Sequence, residues 1–338
     1  MTAGGIPGDA GGPTPLPGSA AGGAGGGESA APAVAESFGD RLAGRVVSRG
    51  SQIVLGLDPD PDRLWPQAIE AAGAGAPPAQ RAATAVAVHC RLVIEATAEH
   101  CVAVKLQVAC FERLGAAGWT ALDEVATRAR ERGLLVIADA KRGDIDVSAA
   151  AYGQAFFGET PTPFGAVTGL GADALTVNPL LGTDSLAPLA RAARSSGGGL
   201  FVLVRTSNPG AADVQEQELA AGGSVSGRLA QIVAELGRAG IGSSGLADIG
   251  AVVGATAPER LEDLRVAMPH AVFLIPGVGA QGGRVEDLRA AFAPGPAAGL
   301  IAASRSIVSA HERTGGRPAT AAAQEARRLR ELAWGLTP

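Results

Sequence analysis

Residues 134–145 read Leu-Leu-Val-Ile-Ala-Asp-Ala-Lys-Arg-Gly-Asp-Ile, an apolar run that ends in two carboxylates around one ammonium. The run has the length and composition of a buried strand. Side chains two apart on a strand share a face, so Asp139 and Lys141 are expected to project together while Ala140 turns away. Gly143 is expected to allow a sharp exit that brings a second acid, Asp144, nearby. Flanking negative charge favours a protonated lysine, and such an array can set fixed charges against a reacting substrate. Taken alone, D-x-K-x-x-D also describes a salt bridge capping a strand. The surrounding sequence decides between the two.

Further apolar runs recur on both sides of this one, at Ile53–Leu57, Val102–Val108, Ala174–Val177, Leu200–Val204, Ala251–Gly254, Val272–Ile275 and Leu300–Ala303. Between them lie amphipathic segments such as Trp119–Glu131, Ser185–Arg194, Val225–Leu236, Pro258–Met268 and Val285–Phe292. Eight strands separated by helices in a single α/β domain, residues 38–338, match the (β/α)8 TIM barrel in number and size. A doubly wound open sheet is the alternative.

Composition narrows the function classes. The 338 residues are 46% hydrophobic and 18% charged, the balance of a globular chain with ample core. A net charge of −5 argues against a nucleic-acid binder, whose affinity rests on neutralising phosphates. Residues 1–37 are almost entirely Gly, Ala, Pro and Ser, without a secretory pattern, and read as a disordered tail. Every apolar stretch stops well short of the roughly 20 residues that span a bilayer. Cys90, Cys101 and Cys110 form no CxxC pair, so neither zinc nor disulfides are expected and a cytoplasmic setting is the simplest account. The pairs His89-Cys90 and His100-Cys101 fall in different kinds of element and do not make a metal site.

In such a barrel the active site lies at the carboxyl ends of the strands. This chain places polar residues there: Asp58 after the first run, Lys105 and Gln107 on one face of the second, Asp139, Lys141 and Asp144 after the third. Thr176 and Asn178 end the fourth, Arg205-Thr206-Ser207-Asn208 follow the fifth and Ser304-Arg305 the last. Lys105, inside Val-Ala-Val-Lys-Leu-Gln-Val, needs a partner if buried, and Asp139 or Asp144 could supply it. Gly277-Val278-Gly279-Ala280-Gln281-Gly282 satisfies G-x-G-x-x-G. A dinucleotide fold shows that string in its first βα unit, with an acid after the next strand. Here it comes late, and the next strand ends in Arg305. Glycine-rich amides followed by an arginine fit a phosphate cradle better.

The strings LGLDPD, VKLQVACFE, DAKRGDI, TVNPLLG, RTSNPGA, PGVGAQGG and ASRSI, in this order from about residue 38 onward, resemble the bacterial orotidine 5′-phosphate decarboxylase family. That resemblance implies a homodimeric barrel without metal or organic cofactor, converting orotidine 5′-phosphate to UMP and CO2 in pyrimidine biosynthesis. It implies that Lys105, Asp139, Lys141 and Asp144 form a charged tetrad, with Lys141 the proton donor and Asp144 reaching the partner's site. It further implies that Asp58 binds ribose hydroxyls, Ser148 lies beside the partner's substrate and Ser207 contacts the pyrimidine. Gly277, Gly279, Gln281 and Arg305 then serve the phosphate. The chain departs from the family at Asp146-Val147-Ser148, where Gly-Ser-Thr is usual, and at Leu106, Cys110 and Leu180. Two other readings stay open at this point: a sugar-phosphate decarboxylase or aldolase whose D-x-K-x-x-D holds magnesium, and a catalytically silent sensor of a phosphorylated ligand.

Overall fold

The computed structural model describes Met1, residues 36–279 and residues 281–337. Its strands are β1 (Ile53–Leu57), β2 (Ala103–Gln107), β3 (Leu135–Arg142), β4 (Glu159–Thr162), β5 (Gly165–Thr168), β6 (Ala174–Val177), β7 (Gly199–Arg205), β8 (Ile249–Val253), β9 (Phe273–Pro276) and β10 (Gly299–Ala303). Eight of them close a parallel barrel in the order β1-β10-β9-β8-β7-β6-β3-β2, which is the expected TIM barrel and not the open sheet. Each apolar run of the sequence became a barrel strand. The antiparallel hairpin β4–β5 was not expected, because Pro161 and four exposed positions on β5 give it no apolar alternation.

The strand pleat sorts side chains into two separate cores. Ile53, Leu55, Val104, Leu106, Val136, Ala138, Leu175 and Val177 pack outward against the helices. Their alternates Val54, Ala103, Leu135, Ile137, Ala174, Phe201, Leu274 and Ala302 fill the barrel. The helix Phe38–Arg49 plugs the amino-terminal end, where Phe38, Leu42 and Val46, spaced by four, are buried and Phe38 meets Phe201 edge to face at 5.9 Å. Of the expected tail, residues 2–35 lie outside the described residues. Ser37 belongs with the domain, since its hydroxyl accepts the Asp40 amide at 3.2 Å and caps that helix.

Two helical expectations change in detail. Pro258–Met268 divides into a 3₁₀ turn, Pro258–Arg260, and the helix Leu261–Ala267, while Val285–Phe292 is wound as 3₁₀ throughout. Arg265 on that helix is buried without a carboxylate. Its guanidinium donates to the carbonyls of Met268 (3.0 Å), Ala271 (2.6 Å), Ala291 (2.8 Å) and Ala298 (3.0 Å) and lies 3.7 Å from the centre of the Phe273 ring. Burial pushes its pKa down to about 10. The side chain therefore ties the helix to the segments that lead into β9 and β10, whose far ends carry the glycine loop and Arg305. Arg265→Leu is expected to lower stability by roughly 3 kcal/mol or more, because it removes the donor to the Ala271, Ala291 and Ala298 carbonyls. Urea unfolding checks this, and a loss below about 1 kcal/mol would show that the carbonyls find other donors.

Candidate active site

The inward alternation that fills the barrel with Val54, Ile137 and Ala174 continues one layer higher as Gly56, Asp139 and Thr176, where the lining turns polar. Register places Gly56 beside Lys105 and Gln107 beside Asp139. Above this layer opens a cavity of about 360 Å³, within the range of small-molecule sites, with Leu203, Val252, Leu274 and Ala302 among its lining residues.

Asp139 is the centre of the charged wall, its side chain only 8% exposed. Its Oδ2 accepts from Lys105 Nζ at 2.6 Å and its Oδ1 from Lys141 Nζ at 2.6 Å. The Thr176 hydroxyl also donates to Oδ1, at 2.9 Å. With its amide nitrogen turned toward Asp139, Gln107 donates to Oδ2 at 3.0 Å and to the Asp139 carbonyl at 2.8 Å. Burial pushes the Asp139 carboxyl up, but Lys105 and Lys141 outweigh it and hold the group down at about 2. Burial works against the Lys105 ammonium too, and Asp139 and Asp58 reverse that, raising it above its ordinary value. Asp58 stands 3.5 Å from Lys105, half-exposed at the rim. The two lysines differ in access: the Lys105 side chain is 8% exposed, that of Lys141 44%.

Asp139 and Lys141 do share a face, though not through a regular pleat. The β3–β6 ladder runs Ile137 to Ala174 and Ala138 to Leu175, then resumes only at Arg142 to Val177. Lys141 sits in this bulge at φ 47°, left-handed for a residue with a side chain. Such strain costs on the order of 1–3 kcal/mol and clusters at functional positions. Gly143 is needed for space, not for a left-handed turn: a Cβ there would lie 2.9 Å from the Asn178 carbonyl oxygen. The exit does not bring Asp144 to the cluster within one chain. Asp144 instead accepts its neighbour's amide, Ile145 N–H, at 2.8 Å, and it does not line the cavity. Ser148 is exposed and also lies away from the cavity. Arg142 turns outward, paired with Glu112 and 5.4 Å from the Tyr152 ring centre.

The opposite wall comes from β7, β9 and β10, and carries Ser207, Gly277, Gln281 and Arg305. Arg205 anchors the β7 exit through Glu216, at 3.0 and 2.8 Å, and the Thr206 amide donates to Gln215 Oε1 at 2.8 Å. Gly277 and Gly279 are both left-handed, at φ 101° and 76°. Gly279 does not line the cavity, and the amides of Gly279, Gly282 and Gly283 donate inside the loop, to Gly283, Gly279 and Gly277. Thr176, Thr206, Asn208 and Ser304 also face the cavity, and Gln107 acquires a defined role. Thr176 stands among the polar strand-end residues of the sequence without a role, and period two places it on the inward side with Ala174. His89 is a core residue whose Nδ1 accepts from the Trp65 amide at 3.0 Å.

A closed parallel barrel whose mouth sets fixed charges on one wall against hydrogen-bond donors on the other defines a (β/α)8 enzyme site. The sequence matches the profile of the orotidine 5′-phosphate decarboxylase / HUMPS family over residues 51–316. It is 40% identical over 280 residues to orotidine 5′-phosphate decarboxylase of Rhodopirellula baltica, covering 82% of this chain and 90% of that one. Against the Deinococcus radiodurans enzyme the identity is 41% over 278 residues, covering 80% and 89%. The structure of Leishmania donovani OMP decarboxylase matches with a TM-score of 0.63 at 30% identity, covering 87% of this chain and 99% of that one. A Streptomyces avermitilis crystal structure matches at 0.70 and 33% identity, covering 89% and 96%. The chain belongs to the orotidine 5′-phosphate decarboxylase / HUMPS family.

Because the Asp139 pKa lies below its ordinary value of 3.8, the stability it contributes is complete above about pH 4 and is lost as pH falls through about 2. Asp139→Asn is expected to abolish turnover and to flatten the acid limb of the stability curve over that interval. Urea midpoints measured against pH check it. An acid limb as steep as the parent's would mean that Asp139 does not carry this charge in the folded state.

Proposed function

We infer that this chain is a carboxy-lyase that converts orotidine 5′-phosphate to UMP and CO2, a step of pyrimidine biosynthesis. The observation that carries the reading is one buried carboxylate holding two ammoniums, of which Lys141 is the more exposed, beside a cavity whose other wall carries Arg305 and Gln281. Breaking the bond between the ring carbon and the carboxylate leaves an electron pair on that carbon. The Lys141 ammonium stabilises the pair and then transfers its proton to the carbon, while CO2 departs. Enzymes of this kind must supply roughly 8–23 kcal/mol of barrier reduction, the hardest reactions needing the upper end. Ser207 faces the pyrimidine, Asp58 the ribose, and Arg305, Gln281 and Gly277 serve the phosphate, whose remote binding energy helps to position the ring.

A magnesium site is disfavoured by the donor set: each Asp139 oxygen already accepts from an ammonium and a second donor, so a cation would have to displace both lysines. Loss of the orotidylate absorbance on adding the protein, unaffected by a chelator, is the expected result. Chelator-sensitive turnover of a sugar phosphate would replace this reading with the other. Lys141→Ala is expected to remove at least about 10²- to 10⁴-fold of the rate, the usual share of general-acid catalysis, while a nucleotide monophosphate still binds. A Lys141→Ala protein with more than a few per cent of parental activity would exclude Lys141 as proton donor.

The proposal includes a two-fold dimer in which Asp144 and Ser148 complete the partner's site. Large apolar side chains support it: Ile145 and Val147 after β3, Phe164 and Val167 on the hairpin, and Leu180 and Leu181 after β6 are all exposed. Apolar side chains of this size exposed near the barrel mouth are available to a partner surface. A cytoplasmic, nucleic-acid-free role fits the free cysteines and the acidic net charge, and no helix among the described residues is long and apolar enough to cross a membrane. Inactive Lys141→Ala and Asp144→Ala chains, mixed and re-equilibrated, are expected to regain about a quarter of parental activity. Random exchange makes about half the dimers mixed, each with one rebuilt site. Mixed dimers seen by mass spectrometry without regained activity would confine Asp144 to its own chain.

A further inference from the structure

The β3–β6 ladder fails where the catalytic lysine stands, and one hydroxyl occupies the gap. Between Ala138–Leu175 and Arg142–Val177, the stretch Asp139-Ala140-Lys141 faces the single residue Thr176. Thr176 is 1% exposed. Its Oγ1 accepts the Lys141 backbone N–H at 2.9 Å and donates to Asp139 Oδ1 at 2.9 Å. The direction of both bonds is unambiguous, because an amide N–H can only donate and an ionised carboxylate can only accept. Asp139 Oδ1 is also the oxygen that takes Lys141 Nζ at 2.6 Å. The hydroxyl thus holds Lys141 at both ends, its backbone directly and its ammonium through a shared carboxylate oxygen.

That double hold coincides with the strain. Lys141 keeps φ 47°, and its amide, which the broken ladder leaves without a strand partner, is satisfied by the threonine side chain. Loss of the hydroxyl would leave that half-buried amide without its protein partner and favour a return to an ordinary extended φ, which re-aims the whole lysine. Packing alone does not ask for an oxygen here. Leu175 and Val177 on either side face the helices, and a valine at 176 would have nearly the same shape.

We propose that Thr176 is a positioning residue for decarboxylation: it holds Lys141 in the left-handed conformation from which the ammonium faces the reacting carbon. This rests on the reading of Lys141 as proton donor. Steady-state kinetics of Thr176→Val and Thr176→Ser, with melting temperatures, test it. Thr176→Val is expected to lower kcat by about 10- to 100-fold, the worth of a lost buried hydrogen bond, with KM changed by less than about threefold. Thr176→Ser keeps the hydroxyl and is expected to stay within about threefold of parental kcat. A valine variant at parental kcat, or a serine variant as impaired as valine, would overturn the proposal. If Thr176→Val does not fold, Thr176→Ala against Thr176→Ser gives the same comparison. An active Lys141→Ala protein would overturn the underlying proton-donor reading, whereas an inactive one beside an unimpaired Thr176→Val would overturn the positioning role alone.

Discussion

Two ammoniums share one buried carboxylate at the mouth of this barrel, and much of the site's geometry answers to that fact. Removing a carboxylate and an ammonium from water costs several kcal/mol per ion, so the arrangement persists only if the remaining lone pairs are satisfied. They are, because three adjacent strands each deliver a partner: Lys105 and Gln107 from β2, Lys141 from β3 itself and Thr176 from β6. The register that aligns Gln107 with Asp139 is what a parallel barrel imposes, and a shift by one residue would turn the whole set toward the helices. The charges are therefore in place before any substrate arrives, and electrostatic stabilisation requires that preorganisation.

The other wall depends on different means. No buried ion pair organises the loops after β9 and β10 among the described residues. Their positions come from Arg265 clamping carbonyls at the base and from loop-internal amide bonds, while the Arg205–Glu216 pair fixes the β7 exit. Arg305 stays exposed at the mouth. One wall is fixed through charge saturation; the other is assembled largely from backbone.

The barrel was legible because each of its strands is a short apolar run with few competitors, and parallel strands buried on both faces carry that signature. The hairpin β4–β5 was illegible for the complementary reason: strands exposed on both faces leave no pattern. At the site, Asp58, Lys105, Asp139, Lys141, Ser207, Gly277, Gln281 and Arg305 converge as their positions after strands imply. Asp144 and Ser148 do not join them within one chain, and Gly279 folds back on its own loop. Period two also explains why Lys141 was read as an ordinary strand residue: a bulge with a left-handed lysine has no local sequence signature when the position is not glycine. Thr176 went unassigned because threonine is common in strands for packing reasons alone.

The separation of the strand side chains into an outward set and an inward set has a consequence for how such a protein can drift. Residues such as Leu55, Leu106, Val136 and Leu175 touch helices and never the cavity, while their sequence neighbours Gly56, Lys105, Ile137 and Thr176 belong to the interior or its mouth. Substitutions in the first set are absorbed by repacking a helix, a change that cores tolerate when volume is kept. Adjacent positions in one strand are thus free to evolve at unequal rates. Substitutions can then accumulate in the barrel's outer shell without any displacement of the charges at its mouth.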